Sequence, residues 1–198
     1  MTTLLYFGSF NPVHYGHLSI VRYLCQDRQV DEIRLVVSPK NPLKKAEDLA
    51  DARQRLLEVA SSVEEAKKRG FLSAEKPIIV SDVEFDLPQP LYTLNTLHHL
   101  QRLEPDKEFI LLIGGDNISS IEKWFRYEQL LEEFQIWVYP RHDRQEEERA
   151  CQVLETRLPV RGIRYLKQAP LLPISSTLIR AGLAQQWSED LSGSDAPA

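Results

Sequence analysis

Five short apolar segments recur along this chain, and the longer stretches between them carry helical periodicity. The apolar segments cover residues 4–7, 33–37, 78–80, 109–113 and 136–139. Each is apolar almost throughout, as in strands that are covered by helices on both faces. Between them, residues 18–24 and 49–68 place apolar side chains on one face of a helix. The pattern predicts an α/β fold, with a doubly wound parallel sheet of about five to six strands.

The length of the chain favours a single domain. The 198 residues can enclose one substantial core, whereas two domains would leave each half small. With 42% hydrophobic and 27% charged residues, the composition is that of a folded protein, and no composition shift marks a linker. We expect one domain over residues 1–187 and a flexible tail over residues 188–198, which are small, polar and acidic.

Charge and cysteine content exclude several classes of protein. The net charge of −5 argues against nucleic acid as the main partner, because such binding draws on a surplus of lysine and arginine. The N-terminal residues lack the features of a signal peptide, and no segment approaches membrane-spanning length. Cys25 and Cys151 lie far apart without metal-type spacing, which favours reduced thiols. We expect a cytoplasmic protein without a membrane partner.

Residues 8–17, between the first strand and the first helix, occupy the position of a phosphate-binding turn. Neither G-x-G-x-x-G nor the P-loop pattern is present. Gly8 allows close approach to the backbone, and amides at the helix start can bind an anion. His14 and His17 can point at one place, donate to phosphoryl oxygens and, if protonated, offset developing charge. They could instead only cap the helix, but strand end, glycine and spacing together favour the phosphate site.

A second candidate phosphate site lies near the C-terminus. Ser175, Ser176 and Thr177 precede an apolar helix, and helix capping alone would explain the two serines. Capping does not explain Arg180, which lies three residues beyond Thr177 and can present its guanidinium beside the helix N-terminal amides.

The middle of the chain offers candidate residues for a second substrate. Gly114 and Asp116 follow a predicted strand, where Asp116 would either accept from ribose hydroxyls or cap the next helix. That helix is expected to carry Trp124. A tryptophan is a core residue by default, but its indole face is also the best side-chain partner for a flat cation.

These motifs together resemble a known family. Residues 8–17 resemble the signature of nucleotidyltransferases with an H-x-G-H motif, with Asn11 where the usual form has aspartate, which makes Asn11 a poor metal ligand. The 174–180 segment is similar to the I-S-S-T-x-I-R element of that superfamily. Gly114-x-Asp116 followed by Trp124, and residues 91–96, resemble the nicotinate-nucleotide adenylyltransferases within it. Leu91 replaces the usual serine, and the S-x-x-P-P-H-[KR] element lacks its histidine in residues 38–44.

The resemblance implies a Rossmann-like nucleotidyltransferase fold and a reaction. The adenylyl group of ATP would pass to nicotinate mononucleotide, giving deamido-NAD and pyrophosphate in NAD biosynthesis, with Mg²⁺ held mainly by the ATP phosphates. It implies catalytic roles for His14, His17 and Arg180. It implies ATP contacts at Gly8, Ser9, Phe10, Gly114, Asp116, Arg141, Ser175, Ser176 and Thr177. It implies acceptor contacts at Lys44, Tyr92, Thr93 and Trp124, with Lys45 as an alternative to Lys44.

Two alternatives remain open. The chain could be another adenylyl- or cytidylyltransferase of the superfamily, acting on nicotinamide mononucleotide or pantetheine phosphate. It could also be a non-catalytic nucleotide-binding module, although the presence of His14, His17 and Arg180 favours an enzyme. Residue identities alone decide neither the acid or amide form of the acceptor nor the oligomeric state.

Overall fold

The computed structural model describes residues 1–39 and 52–172. The strands are β1 (Thr2–Gly8), β2 (Glu32–Val37), β3 (Ile78–Ser81), β4 (Glu108–Gly114), β5 (Gln135–Tyr139) and β6 (Ile163–Tyr165). The helices are α1 (Tyr15–Cys25), α2 (Ala52–Lys68), α3 (Thr93–Leu103), α4 (Gly115–Ile118), α5 (Tyr127–Glu133) and α6 (Arg144–Arg157), with a 3₁₀ turn at Ile121–Lys123. The predicted tail over residues 188–198 lies outside the described residues and stays a prediction.

The described strands form one parallel sheet in the order β3-β2-β1-β4-β5-β6. The predicted doubly wound α/β fold is confirmed. The direction of winding reverses between β1 and β4, and ligands of such sheets bind beyond the carboxyl ends of the strands at this point. Gly8 ends β1 and Gly114 ends β4, so both glycines lie at this edge.

Helices cover both faces of the sheet, which explains why the strands are apolar throughout. On one face, Leu4 of β1 packs in a cluster with residues of α1 and α2, among them Leu18 and Val59. On the other face, Leu5 packs in a second cluster with residues of α3 and α6, among them Leu97 and Leu154. Both sides of each central strand are therefore buried, as a parallel sheet requires.

Three local features concern a helix end, the cysteines and the apolar content of the helices. Gly70, two residues after α2, has a φ of +71°, the left-handed conformation typical of the residue that ends a helix. Cys25 and Cys151 are free thiols. In residues 1–39 and 52–172, no helix combines the length and apolar character needed to span a bilayer.

One local prediction is wrong. Trp124 does not lie on a helix after β4, because the chain there breaks into the short α4 and a 3₁₀ turn, and Trp124 is extended at the end of that turn. The charge-rich segment at residues 141–149 begins α6, with Asp143 as the N-cap, and is largely exposed, but Glu147 inside it is buried and 4% exposed.

Candidate active site

Two adjoining cavities, each of about 350 Å³, open at the carboxyl edge of the sheet. The first, called here the histidine cavity, is lined by His14, His17 and Arg141. The second, called here the Tyr92 cavity, is lined by Tyr92, Glu84 and Phe125. The two share a wall formed by Phe7, Gly8, Ser9, Thr93, Asn117 and Trp124. A molecule in one cavity therefore lies directly beside a molecule in the other.

The start of α1 brings the two histidines together. His14 is the N-cap and His17 is the third residue of the helix, and their ring centroids lie 3.7 Å apart. The backbone N–H of His14 donates to Nδ1 of His17 at 3.2 Å. Since Nδ1 of His17 accepts this bond, its neutral ring carries the proton on Nε2. That nitrogen is then a hydrogen-bond donor.

His14 is buried with its polar atoms unpartnered. The residue is 2% exposed, and in the described part of the chain neither of its ring nitrogens has a hydrogen-bond partner. Buried polar groups in native proteins are generally hydrogen-bonded, so an exception on a cavity wall indicates a place for a ligand atom.

Both histidines are neutral at neutral pH. Burial, helped by the positive charge of Arg141, lowers the pKa of His14 to about 4. Burial, followed by the effects of His14 and Arg141, holds the pKa of His17 well below its ordinary value. In the unliganded protein the two histidines are therefore not protonated, so they carry no positive charge that could offset developing negative charge. The pair instead offers neutral hydrogen-bond donors.

Arg141 supplies the fixed positive charge of the histidine cavity. It follows β5 and donates to the hydroxyl of Tyr6, whose pKa is raised to about 12 mainly by burial. Its side chain and that of Asp116 converge over Gly114, where a Cβ would lie 2.4 Å from Oδ1 of Asp116 and 3.2 Å from Nε of Arg141. Gly114 is the N-cap of α4, and Asp116 lies inside that helix, so the alternative that Asp116 caps the helix is not found.

Glu147 holds the backbone of Arg141 in place, which the sequence analysis missed. Its carboxylate accepts from the backbone N–H of Arg141 at 3.2 Å, from that of His142 at 3.0 Å and from the Tyr165 hydroxyl at 2.9 Å. The same carboxylate occupies the space that a Cβ of Gly115 would need. This buried carboxylate, with three donors, thus ties the segment after β5 to the end of β6.

Phe10 shapes the turn after β1. Its ring is 1% exposed, packs edge-on to Tyr6 and His17, and lies 2.9 Å from where a Cβ of Gly8 would be. Gly8 is thus required by the packing of Phe10 as well as by any close approach of a ligand. Phe10 has a φ of +44°, a conformation that costs a non-glycine residue free energy and is concentrated at functional sites.

Arg55 fixes the same turn from behind, and it too was missed. This residue of α2 is fully buried, and its guanidinium donates to the backbone carbonyl of Ser9. It also donates to the carbonyls of Ser38 and Pro39, each at 3.0 Å. One side chain thereby joins the turn after β1 to the segment after β2, and Ser9 lines both cavities.

Aromatic side chains form the outer part of the Tyr92 cavity. Tyr92 stacks on Phe125 with ring centroids 4.2 Å apart and an interplanar angle of 13°. Trp124 is partly exposed and packs against the second core cluster while lining both cavities. Arg126, which follows Phe125, has a φ of +49°, and its guanidinium lies over the Phe125 ring. One part of the Trp124 side chain therefore packs against the core, and another part faces the cavities.

Every predicted site residue that the structure describes lines one or both of these cavities. These residues are Gly8, Ser9, Phe10, His14, His17, Tyr92, Thr93, Gly114, Asp116, Trp124 and Arg141. Lys44, Lys45, Ser175, Ser176, Thr177 and Arg180 lie outside the described residues. The predicted meeting of the two phosphate-binding segments therefore stays a prediction.

The fold and the paired cavities define a nucleotide-binding α/β protein. A model of the cytidylyltransferase-like family matches residues 5–182, and the chain belongs to this family. A protein of Flavobacterium psychrophilum, described as a probable nicotinate-nucleotide adenylyltransferase, is 41% identical over 90% of this chain and 84% of its own. A protein of Flavobacterium johnsoniae with the same description is 40% identical over 91% of this chain and 86% of its own.

A solved structure has the same fold. It is the Plasmodium falciparum nicotinic acid mononucleotide adenylyltransferase complexed with NaAD, with a TM-score of 0.71 and 19% identity. The match covers 96% of this chain and 88% of that one. The resemblance to nicotinate-nucleotide adenylyltransferases expected from the motifs is confirmed.

Proposed function

We propose that this chain transfers the adenylyl group of ATP to nicotinate mononucleotide, giving deamido-NAD and pyrophosphate. The observation that carries the proposal is the shared wall between the two cavities, because a transfer between two nucleotides requires both to be held side by side. The descriptions of the two Flavobacterium relatives support the choice of reaction.

ATP would lie in the histidine cavity. An oxygen of the acceptor phosphate attacks the α-phosphorus in line, and the bond from that phosphorus to the bridging oxygen of pyrophosphate breaks. Such transfer depends mainly on positioning and on stabilisation of charge, so the required side chains are donors and cations. His17 through Nε2 and His14 would donate to phosphoryl oxygens, while Arg141 supplies positive charge near the nucleotide.

Other contacts to ATP complete the proposal. Gly8, Ser9 and Phe10 would present the turn after β1 to the phosphates, and Gly114 and Asp116 would contact the ribose. The C-terminal segment would hold the β- and γ-phosphates and complete the catalytic set. Its proposed contributors are Ser175, Ser176, Thr177 and Arg180.

The residues of the histidine cavity fit a magnesium ion that is bound mainly through ATP. Among the described residues that line it, Asp116 carries the one carboxylate, and no group of three potential ligands occurs in residues 1–39 and 52–172. Phosphate oxygens and water would then supply most ligands, which is the usual coordination of Mg²⁺ with nucleotides. When bound, the ion neutralises part of the triphosphate charge.

The acceptor would lie in the Tyr92 cavity. Its pyridinium ring is a flat cation, and the indole of Trp124 offers the side-chain face that such a cation prefers. Tyr92 and Thr93, at the start of α3, would flank the ring, and Lys44 would contact the acceptor phosphate. We place the reaction in the cytoplasm, which the two free thiols support.

The proposal is tested by measuring pyrophosphate release from ATP with nicotinate mononucleotide, nicotinamide mononucleotide and pantetheine phosphate in parallel. We expect the highest kcat/KM with the acid mononucleotide. A preference for the amide form or for pantetheine phosphate would move the chain to another activity of the family. Nucleotide binding without release from any acceptor would indicate a non-catalytic module.

A further inference from the structure

Glu84 is a buried carboxylate on the wall of the Tyr92 cavity. Among the described residues that line this cavity it carries the one carboxylate, and it is 3% exposed. It accepts a hydrogen bond from Oγ1 of Thr96 at 2.8 Å and another from the Ser38 hydroxyl. Its described hydrogen-bond partners are thus neutral hydroxyls.

The two hydroxyls locate Glu84 between the two ends of the cavity. The backbone N–H of Ser38 donates to the carbonyl of Gly8 at 2.9 Å, so Ser38 lies beside the wall shared with the histidine cavity. Thr96 is three residues after Thr93, on the same side of α3. Glu84 therefore lies between the wall shared with the histidine cavity, where the acceptor phosphate would meet ATP, and the start of α3, which would face the ring.

The chemistry of the proposed acceptor explains why a carboxylate would stand there. Burial raises the pKa of Glu84, which means that its charged form lacks full compensation. A carboxylate can accept about four hydrogen bonds, and the residues that the structure describes supply two. In nicotinate mononucleotide, the ring carboxylate and the phosphate are acceptors and the ring nitrogen carries no hydrogen. The ribose hydroxyls are the donors that can satisfy Glu84, and the ribose joins the ring to the phosphate.

We propose that Glu84 accepts a hydrogen bond from a ribose hydroxyl of the acceptor mononucleotide and thereby selects a ribonucleotide. The inference rests on the proposed function for the identity of the acceptor. It assigns Glu84 a specificity-determining role, with Ser38 and Thr96 holding the carboxylate in the orientation that this role requires.

The first experiment uses the unaltered protein. Binding of nicotinate mononucleotide and of its 2′-deoxy and 3′-deoxy analogues is measured by calorimetry without ATP. Loss of a hydrogen bond to a buried charged group should weaken binding of at least one analogue by about ten- to a hundredfold. If both analogues bind as tightly as the ribonucleotide, the proposal is wrong.

The second experiment assigns the effect to the side chain. Glu84→Gln should weaken binding of the ribonucleotide and reduce its advantage over the affected analogue to about twofold, the limit of additivity for groups that do not interact. Thr96→Val removes a hydroxyl that orients Glu84 but keeps the carboxylate, so this variant should lose part of the discrimination, and less of it than Glu84→Gln. Tighter binding to Glu84→Gln would mean that the carboxylate only repels the anionic acceptor, and would overturn the proposal.

Turnover, measured separately, distinguishes the two proposals. Discrimination in binding without pyrophosphate release from ATP would support the role of Glu84 and contradict the proposed reaction. Release of pyrophosphate without discrimination between ribose and deoxyribose would support the proposed reaction and contradict the role of Glu84. Failure to bind any of the three mononucleotides would contradict both.

Discussion

The ring of His17 is held by the backbone of His14, whose N–H donates to Nδ1 of His17 at 3.2 Å. The contact orients the imidazole and directs the protonated Nε2 away from the helix start. The two ring centroids lie 3.7 Å apart, so the His14 ring packs against the ring that this hydrogen bond orients. The N-cap of α1 is thus at once a structural element and the centre of the proposed site.

His17→Ala is expected to lower turnover by roughly two to three orders of magnitude, because it removes a donor to the transition state. His17→Asn is the matched variant, since its amide oxygen can still accept from the His14 N–H while the Nε2 donor is lost. Both variants should therefore be slow, and His17→Asn should melt closer to the unaltered protein. Near-normal turnover of His17→Asn would show that the ring serves only to cap the helix.

His14 is expected to remain neutral across the physiological range. Its pKa is lowered to about 4 by burial and by Arg141, so its ring signal should not titrate between pH 5.5 and 8 in the free protein. A non-hydrolysable ATP analogue should raise this pKa, because nearby anions favour the protonated form. NMR titration of the ring signal, assigned with a His14→Gln variant, measures both effects. A midpoint near 6.5 without ligand would contradict the burial argument.

The sequence predicted those parts of the site that follow from local pattern. The strand end, the glycine and the paired histidines of residues 8–17 are adjacent along the chain, and the parallel sheet brings the ends of β1 and β4 together. The break of the chain before Trp124 was not predictable in this way. It depends on how α4 packs against α6, a tertiary contact between segments that are distant in the sequence.

Buried charges were the residues that sequence reasoning missed. Arg55 and Glu147 stand in polar helical stretches that look solvated. A signal was present in each case, because Arg55 lies four residues before the buried Val59, and Glu147 four before the buried Cys151. Each charge thus continues an apolar helix face into the core. Their partners are backbone groups of other segments and, for Glu147, also the Tyr165 hydroxyl, and no spacing along the chain encodes these contacts.

Arg55→Lys is expected to lower kcat/KM for both ATP and the acceptor by about ten- to a hundredfold, the effect of a small displacement of a positioned group. Lysine keeps the charge but cannot reach the three carbonyls that the guanidinium holds. Lys68→Arg, which exchanges the same two residue types at an exposed position at the end of the same helix, is the control and should leave both values unchanged. A lower melting temperature with unchanged kinetics would reduce Arg55 to a purely structural role.

Trp124→Leu is expected to raise the KM for the acceptor more than the KM for ATP. The loss of a cation–π contact should cost about 0.5–2 kcal/mol, which corresponds to roughly two- to thirtyfold. Trp124→Phe retains an aromatic face and should show a smaller change. Because Trp124 also lines the histidine cavity, steady-state kinetics must vary both substrates. Equal effects of Trp124→Leu on the two KM values would place the indole in the core alone.

The opposite end of the sheet offers a test of stability that leaves the site untouched. Arg34 of β2 binds both carboxylate oxygens of Glu104, at 2.5 and 3.1 Å, and Lys107 binds Glu104 at 2.7 Å. The Arg34 contact, despite partial burial, lowers the pKa of Glu104 to about 2. Because the native pKa lies below that of the unfolded chain, the unfolded state binds more protons as pH falls, and the contribution to stability is lost from about pH 4 towards pH 2.

Glu104→Gln should therefore lower the free energy of unfolding at pH 7 by about 1.5–3 kcal/mol, the range for a hydrogen bond to a charged group. The unaltered protein should lose stability more steeply than the variant between pH 4.5 and 2.5, so the two unfolding free energies converge in acid. Urea titration across this range measures the difference, and kcat/KM at pH 7 should stay the same in both proteins. If the two curves of unfolding free energy against pH are parallel, the lowered pKa of Glu104 is contradicted. Glu104 would then bind the same number of protons in the native and the unfolded state.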